Sequence, residues 1–174
     1  MAEDSRALQT VSLAELSGRK GTYVLILELA APCKIVVGGL GAISFHGGHY
    51  AYVGSARGPG GLRARVRRHL SRPKKKRWHI DFLLERARPR EAMVFLSGIE
   101  EVSLATSLKS FLQPVRGFGA SDDPLSHSHL FYLGDESFEA VRRIVELTSA
   151  IPGCRRLTLE APNSGRRPPV KRSM

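Results

Sequence analysis

YAYVGSARGPGGLRARVRRH, residues 50–69, is the stretch on which the fold turns. Its opening YAYVG is a short strand in which Tyr50 and Tyr52 share one face by the period of two. The glycine-rich turn GPGG follows, and Leu62, Val66, His69 and Leu70 then fall at the spacing of one helix face. A strand, a tight loop and a basic helix make either a fold element with a solvated face or half of a site for a phosphate.

Outward from this stretch the pattern keeps alternating between strand and helix. GTYVLILEL (21–29) is β-branched and aromatic, and KIVVGG (34–39) follows a proline-containing turn, which predicts a hairpin joined by YAYVG as a third antiparallel strand. Beyond Pro73, Ile80, Leu83, Leu84 and Ala87 predict a second helix, and EAMVFLS (91–97) a strand. Leu104, Ala105, Leu108, Phe111 and Leu112 form an amphipathic helical stripe. A turn-rich loop leads into a last strand at Leu130–Leu133. A final helix is predicted from Ser137 to about Ala150, with Phe138, Val141, Ile144 and Val145 inward and Asp135 or Ser137 as cap. The expected fold is α+β, a small, mainly antiparallel sheet flanked by helices. Its organisation reads as an N-terminal segment (1–18), a central domain (19–133), a C-terminal helix (134–152) and a basic, disordered tail (153–174).

With 174 residues, 42% of them hydrophobic, the chain can bury one core but not two full ones. The net charge of +11 favours a polyanionic partner, nucleic acid first and an acidic membrane surface second, because neutralised phosphates release counterions; charge alone does not separate DNA from RNA. Nine of the 27 Lys+Arg lie between Arg63 and Arg77, so the charge is a local footprint. Two distant cysteines, Cys33 and Cys154, indicate neither a disulfide framework nor a zinc knuckle and suit a reducing compartment. The acidic start MAEDSRALQ is no secretory signal, and Glu28, Pro32 and Lys34 interrupt the most apolar run. A soluble, cytoplasmic protein with no membrane partner is expected.

On the basic helix, Arg65 and His69 stand at i and i+4 on the rim of the apolar face, where both could donate to one phosphate. Arg63 flanks the same stripe, and Arg67 and Arg68 point outward. Arg63, Arg67, Arg68, Arg72, Lys74, Lys75, Lys76 and Arg77 together form a surface that could grip a nucleic-acid backbone. The alternative is a solvated basic helix with His69 at the core edge.

Five ordered motifs over residues 19–133 carry a resemblance: GTY (21–23), YVG (52–54), Arg65-x-x-x-His69, RWHID (77–81), and the pair GFG (117–119) with SHLFY (128–132). In them the chain resembles the GIY-YIG nuclease superfamily, in a small branch long described as a domain of unknown function. The resemblance implies an endonuclease dependent on Mg²⁺ or Mn²⁺, cleaving DNA phosphodiesters in repair or processing of structured or damaged duplexes. Tyr23 and Tyr52 would flank the attacking water, Arg65 would stabilise charge on the phosphate, and His69 and His79 would move protons or touch the phosphate. Ionising a tyrosine of pKa ~10 at neutral pH costs about 4 kcal/mol. A cation ~4 Å away at an effective dielectric near 20 returns a similar amount, a role that would fall to Arg65.

The branch's metal glutamate is the third residue of a Glu-Cys-Glu-Leu-Ala motif; EVSLA here puts Ser103 at that position. Glu100, one turn earlier on nearly the same face, and Glu101, at the head of the apolar stripe, are the substitutes to test, although the helix dipole alone favours acids there. The branch's cysteines near GFG are replaced by Asp123 and Leu125. His127 and His129 form a His-x-His that is either a partial transition-metal site or a polar loop. Asp81 and Glu85 could share a helix face as a second metal pole, or serve as cap and ion pair. For Tyr23 and Tyr52 strand packing is the alternative, and for Trp78 core burial is preferred to base stacking. A nucleic-acid-binding module derived from such a nuclease, unable to cleave, is the rival reading of the whole chain.

Overall fold

The computed structural model describes residues 8–72, 75–119 and 128–159. Lys74, Asp123, Leu125, His127 and everything from residue 160 lie outside these, as do the side chains of Ser137 and Phe138. The first half runs β1 (Thr10–Val11), β2 (Gly21–Leu29), β3 (Cys33–Val36), β4 (Ala42–Phe45), β5 (Gly48–Ala56), α1 (Gly61–Leu70) and α2 (His79–Leu83). The second runs β6 (Arg88–Phe95), α3 (Glu101–Lys109), β7 (Gln113–Pro114), β8 (Leu130–Gly134), α4 (Ser137–Thr148) and β9 (Cys154–Leu157).

Seven strands make one sheet in the order β1-β9-β6-β2-β5-β8-β7. Every pairing is antiparallel except β1 with β9. The expected α+β class, a mostly antiparallel sheet flanked by helices, is the one observed. The run GTYVLILEL is apolar on both sides because β2 is central and covered on both faces. Tyr23, Leu25 and Leu27 pack on one face with Leu62 and Val66 of α1 and Ile80 and Leu83 of α2. Val24 and Ile26 pack on the other with Leu104 and Leu108 of α3 and Ile144 of α4. Among the described residues no helix is long and apolar enough to cross a membrane.

Four expectations need correcting. The predicted hairpin of 21–29 with 34–39 does not form: β2 pairs with β5 and β6, while β3 pairs with β4 in a separate ribbon. The β2 residues, seven of nine buried, find better cross-strand partners in the equally apolar β5 and in β6 than in the half-exposed β3. The tail expected from 153 begins instead as β9, held between β6 and β1, with Cys154 and Leu157 buried and Arg156 paired to Glu91. The N-terminal segment also enters the sheet through β1. At α4 the cap is Glu136, not Asp135 or Ser137.

The fourth correction concerns the helical stripe, because α3 ends at Lys109 and Phe111 then stands 60% exposed while Leu104, Ala105, Leu108 and Leu112 are buried. Phe111→Ser should therefore leave stability within about 0.5 kcal/mol. Leu108→Ala should cost at least about 2 kcal/mol. Urea denaturation of the two variants checks the difference.

Candidate active site

Tyr23 on β2 lies directly across from Gly54 on β5, and Tyr52 sits two residues back on the same face. A Cβ on Gly54 would meet the Tyr23 hydroxyl at 2.3 Å, so only glycine lets the phenol lean over the neighbouring strand. That is the physical content of the YVG glycine. The rings of Tyr23 and Tyr52 are 6.4 Å apart. Behind them α1 begins at Gly61, whose φ of +57° and 2.2 Å Cβ approach to the Arg19 carbonyl also demand glycine. Three turns of α1 then carry Leu62 and Val66 into the core and set Arg65 and His69 beside the tyrosines.

A cleft of about 680 Å³ is lined by Tyr23, Tyr52, Arg65, His79, Glu101 and His129, among others. His69 does not line it. It is buried behind Tyr23, with its Nε2 2.7 Å from the Tyr23 hydroxyl, so the expected contact between His69 and a phosphate gives way to one relayed by a phenol. His79 is fixed by the amide of Gly119, which donates to Nδ1 at 3.0 Å; the neutral ring then carries its proton on Nε2. The GFG motif makes this possible by burying Phe118 against Tyr52 and His79 while the chain turns around it.

Of the two glutamates considered for metal, Glu101 reaches the cleft and Glu100 does not. Glu100 is exposed and paired with Arg57, an outward position fixed by its place as N-cap of α3. Ser103 is exposed too. Glu101 Oε1 lies 3.0 Å from Nδ1 of buried His129. Burial works to raise the Glu101 carboxyl, but hydrogen bonds from His129 and Ser55 and the charges of His129 and Arg65 outweigh it and hold the group below its ordinary value. The sequence offered His129 as half of a metal motif or as part of a polar loop; the bond from the Val53 amide to its backbone carbonyl, which ties it to β5, was the missing information.

The tyrosines are not poised as phenolates. Burial above all, then the neighbouring Tyr52, Glu101 and Asp81 charges, push Tyr23 well above 10, and the attraction of Arg65 does not compensate. Tyr52 is raised by the same burial and by Glu101. The expectation that one arginine almost suffices to ionise a tyrosine is thus corrected: desolvation of the phenolate is the larger effect. Both hydroxyls are therefore neutral phenols in the folded protein.

The basic surface divides. Arg68, expected to point outward, binds fully buried Asp81 at 2.5 Å and lies over Trp78, because α2 packs against that side of α1. Asp81 also accepts from the amides of Arg77 and Trp78, so it caps α2 and is no second metal pole. Glu85 pairs with Lys76. Arg72 donates to the Ala87 carbonyl and Arg63 reaches Ser17. Arg67, Lys75, Lys76 and Arg77 remain exposed. Trp78 is only half-buried, packed on the core yet forming a wall of the cleft, which corrects its expected core burial.

One family model matches the chain. The chain belongs to the family described as Domain of unknown function DUF123, matched over residues 22–150. No curated protein and no solved structure matches it. The span shared with the DUF123 family takes in every cleft residue named above and leaves β1 and β9 outside.

Proposed function

We propose that this DUF123 chain is a divalent-metal-dependent endonuclease of the GIY-YIG kind, cutting DNA phosphodiester bonds. The observation that carries the reading is the meeting, at one cleft, of two neutral phenols, an arginine that is over Trp78 but without an ion pair among the described residues, and an ionised glutamate. Residues from four separate segments converge there, which strand packing alone does not require.

The proton path follows from the geometry. A water attacking phosphorus loses its proton to the Tyr23 oxygen as the phenol's own proton passes 2.7 Å to His69 Nε2. The P–O bond to the leaving oxygen then breaks. Arg65 offers its guanidinium edge to the non-bridging oxygens, and the Nε2–H of His79 is a second donor. Glu101 fits a Mg²⁺ or Mn²⁺ held by one carboxylate and otherwise by water; among the described residues no group of three or more ligands would cage an ion. Such an ion, when bound, polarises the phosphate and eases departure of the leaving oxygen.

Supercoiled plasmid, branched DNA and RNA, incubated with Mg²⁺, Mn²⁺ or EDTA, test the proposal. DNA should be cut only with metal, and Tyr23→Phe or Arg65→Ala should slow cutting at least about 100-fold. Cutting that both variants retain would remove the assigned centre. No cutting, with binding that weakens steeply in salt, selects the non-cleaving binding module instead.

A further inference from the structure

Trp78 is contacted by three guanidiniums: Arg65 at 4.2 Å, Arg68 at 4.4 Å and Arg77 at 5.6 Å from the ring centre. Their situations differ. Arg68 is spent on Asp81, so it braces the indole and has little charge to offer a ligand. Arg65 faces the tyrosines. Arg77 is exposed, and its guanidinium makes no ion pair among the described residues.

Arg77 and Trp78 also have a position that no other residues share. They line the cleft, a second depression of about 500 Å³ bordered by Lys75 and Lys76, and a third of about 250 Å³ bordered by Gly58 and Pro59. They form the ridge between the three. Arg65 and Arg77 both lie against the Trp78 ring, 4.2 and 5.6 Å from its centre, and both line the cleft, so a nucleic-acid strand with one phosphate at Arg65 can bring a neighbouring phosphate to Arg77. The Arg77 guanidinium lies 5.6 Å from the ring centre, within cation–π range, and presents to a phosphate a planar fork of N–H donors that lysine does not reproduce.

We propose that the Arg77–Trp78 ridge is a second phosphate subsite, binding the phosphodiester adjacent to the scissile one on the same strand. It rests on the endonuclease reading only for the word scissile; the subsite holds nucleic acid whether or not a bond is broken. Arg77 supplies the phosphate contact, and Trp78, braced by Arg68, fixes where Arg77 stands.

Trp78 is the only tryptophan in the chain, so its emission reports occupancy of the ridge. The probes are TpT, with one phosphate, and TpTpT, with two, titrated at low salt into the wild type, Arg77→Gln and Arg142→Gln, the last on α4 and paired with Glu139 and Glu146. In the wild type TpTpT should bind about ten-fold more tightly than TpT, well beyond the roughly two-fold that a second binding register gives alone. Arg77→Gln should keep only that roughly two-fold gain, and Arg142→Gln should retain the full one. A full gain in Arg77→Gln, an equal loss in Arg142→Gln, or emission that neither probe moves overturns the subsite. Because binding alone is read, plasmid cutting without the gain sinks the subsite and spares the nuclease. The gain without cutting does the reverse.

Discussion

Glu101→Gln should abolish metal-dependent cleavage, by about 1,000-fold or more, in a protein that stays folded. The magnitude follows from losing the one carboxylate that lines the cleft among the described residues: several kcal/mol of transition-state stabilisation by the metal corresponds to about three powers of ten. Glu100→Gln and Ser103→Ala are the controls, and both should cut within about two-fold of wild type, since Glu100 pairs outward with Arg57 and Ser103 is exposed. Single-turnover rates across a Mg²⁺ titration separate the variants. Equal loss in Glu100→Gln would mean that the wrong glutamate has been assigned. Stability carries an independent signature. The Glu101 carboxyl is held below its ordinary 4.5 in the folded protein, so its ionisation stabilises the fold above that pH, and the contribution is lost as pH falls through the lower folded value. Urea midpoints of wild type and Glu101→Gln should therefore converge on acidification below 4.5.

Elements were easier to read from the sequence than their neighbours. Helix and strand periodicities placed the core of β2, β5, β6, β8, α1, α3 and α4, because local burial patterns record which face is covered. Pairing is a non-local property: nothing in GTYVLILEL says that it lies between β5 and β6 rather than against KIVV. The same limit hid β9, four residues with two arginines that look like a basic tail until their partner β6 is known. At the site, motif order identified Tyr23, Tyr52, Arg65, His69 and His79, and four of these line the cleft while His69 touches it through Tyr23. Charge alone was a poorer guide. Arg68 looked like another solvated cation, and only the packing of α2 on α1 shows it neutralised by a buried aspartate. Counting along EVSLA put Ser103 at the position of the family's glutamate and left Glu100 and Glu101 as substitutes; only the helix shows that Glu101, at its first residue, is directed to the tyrosines and His129.

Gly54→Ala should be the most damaging single-carbon change at the site, costing about 1–3 kcal/mol of stability and at least about 100-fold in cleavage. The added methyl would sit 2.3 Å from the Tyr23 hydroxyl oxygen and 2.4 Å from its ring carbon, closer than such contacts allow. Neither side can yield cheaply. β5 is bonded to β2 on one edge and to β8 on the other, and Tyr23 is 1% exposed with its hydroxyl tied to His69. The ring must therefore swing away, and the 2.7 Å bond that passes the proton to His69 is the first thing lost. Tyr23→Phe removes the same bond by deleting the oxygen, with no displacement of β5. If both changes act through that one hydroxyl, Gly54→Ala combined with Tyr23→Phe should cut no more slowly than the slower single variant, because coupled sites do not add. Single-turnover cleavage of all four proteins decides it. Multiplying losses would place the damage of Gly54→Ala in the sheet and leave the Tyr23–His69 relay without its strongest support.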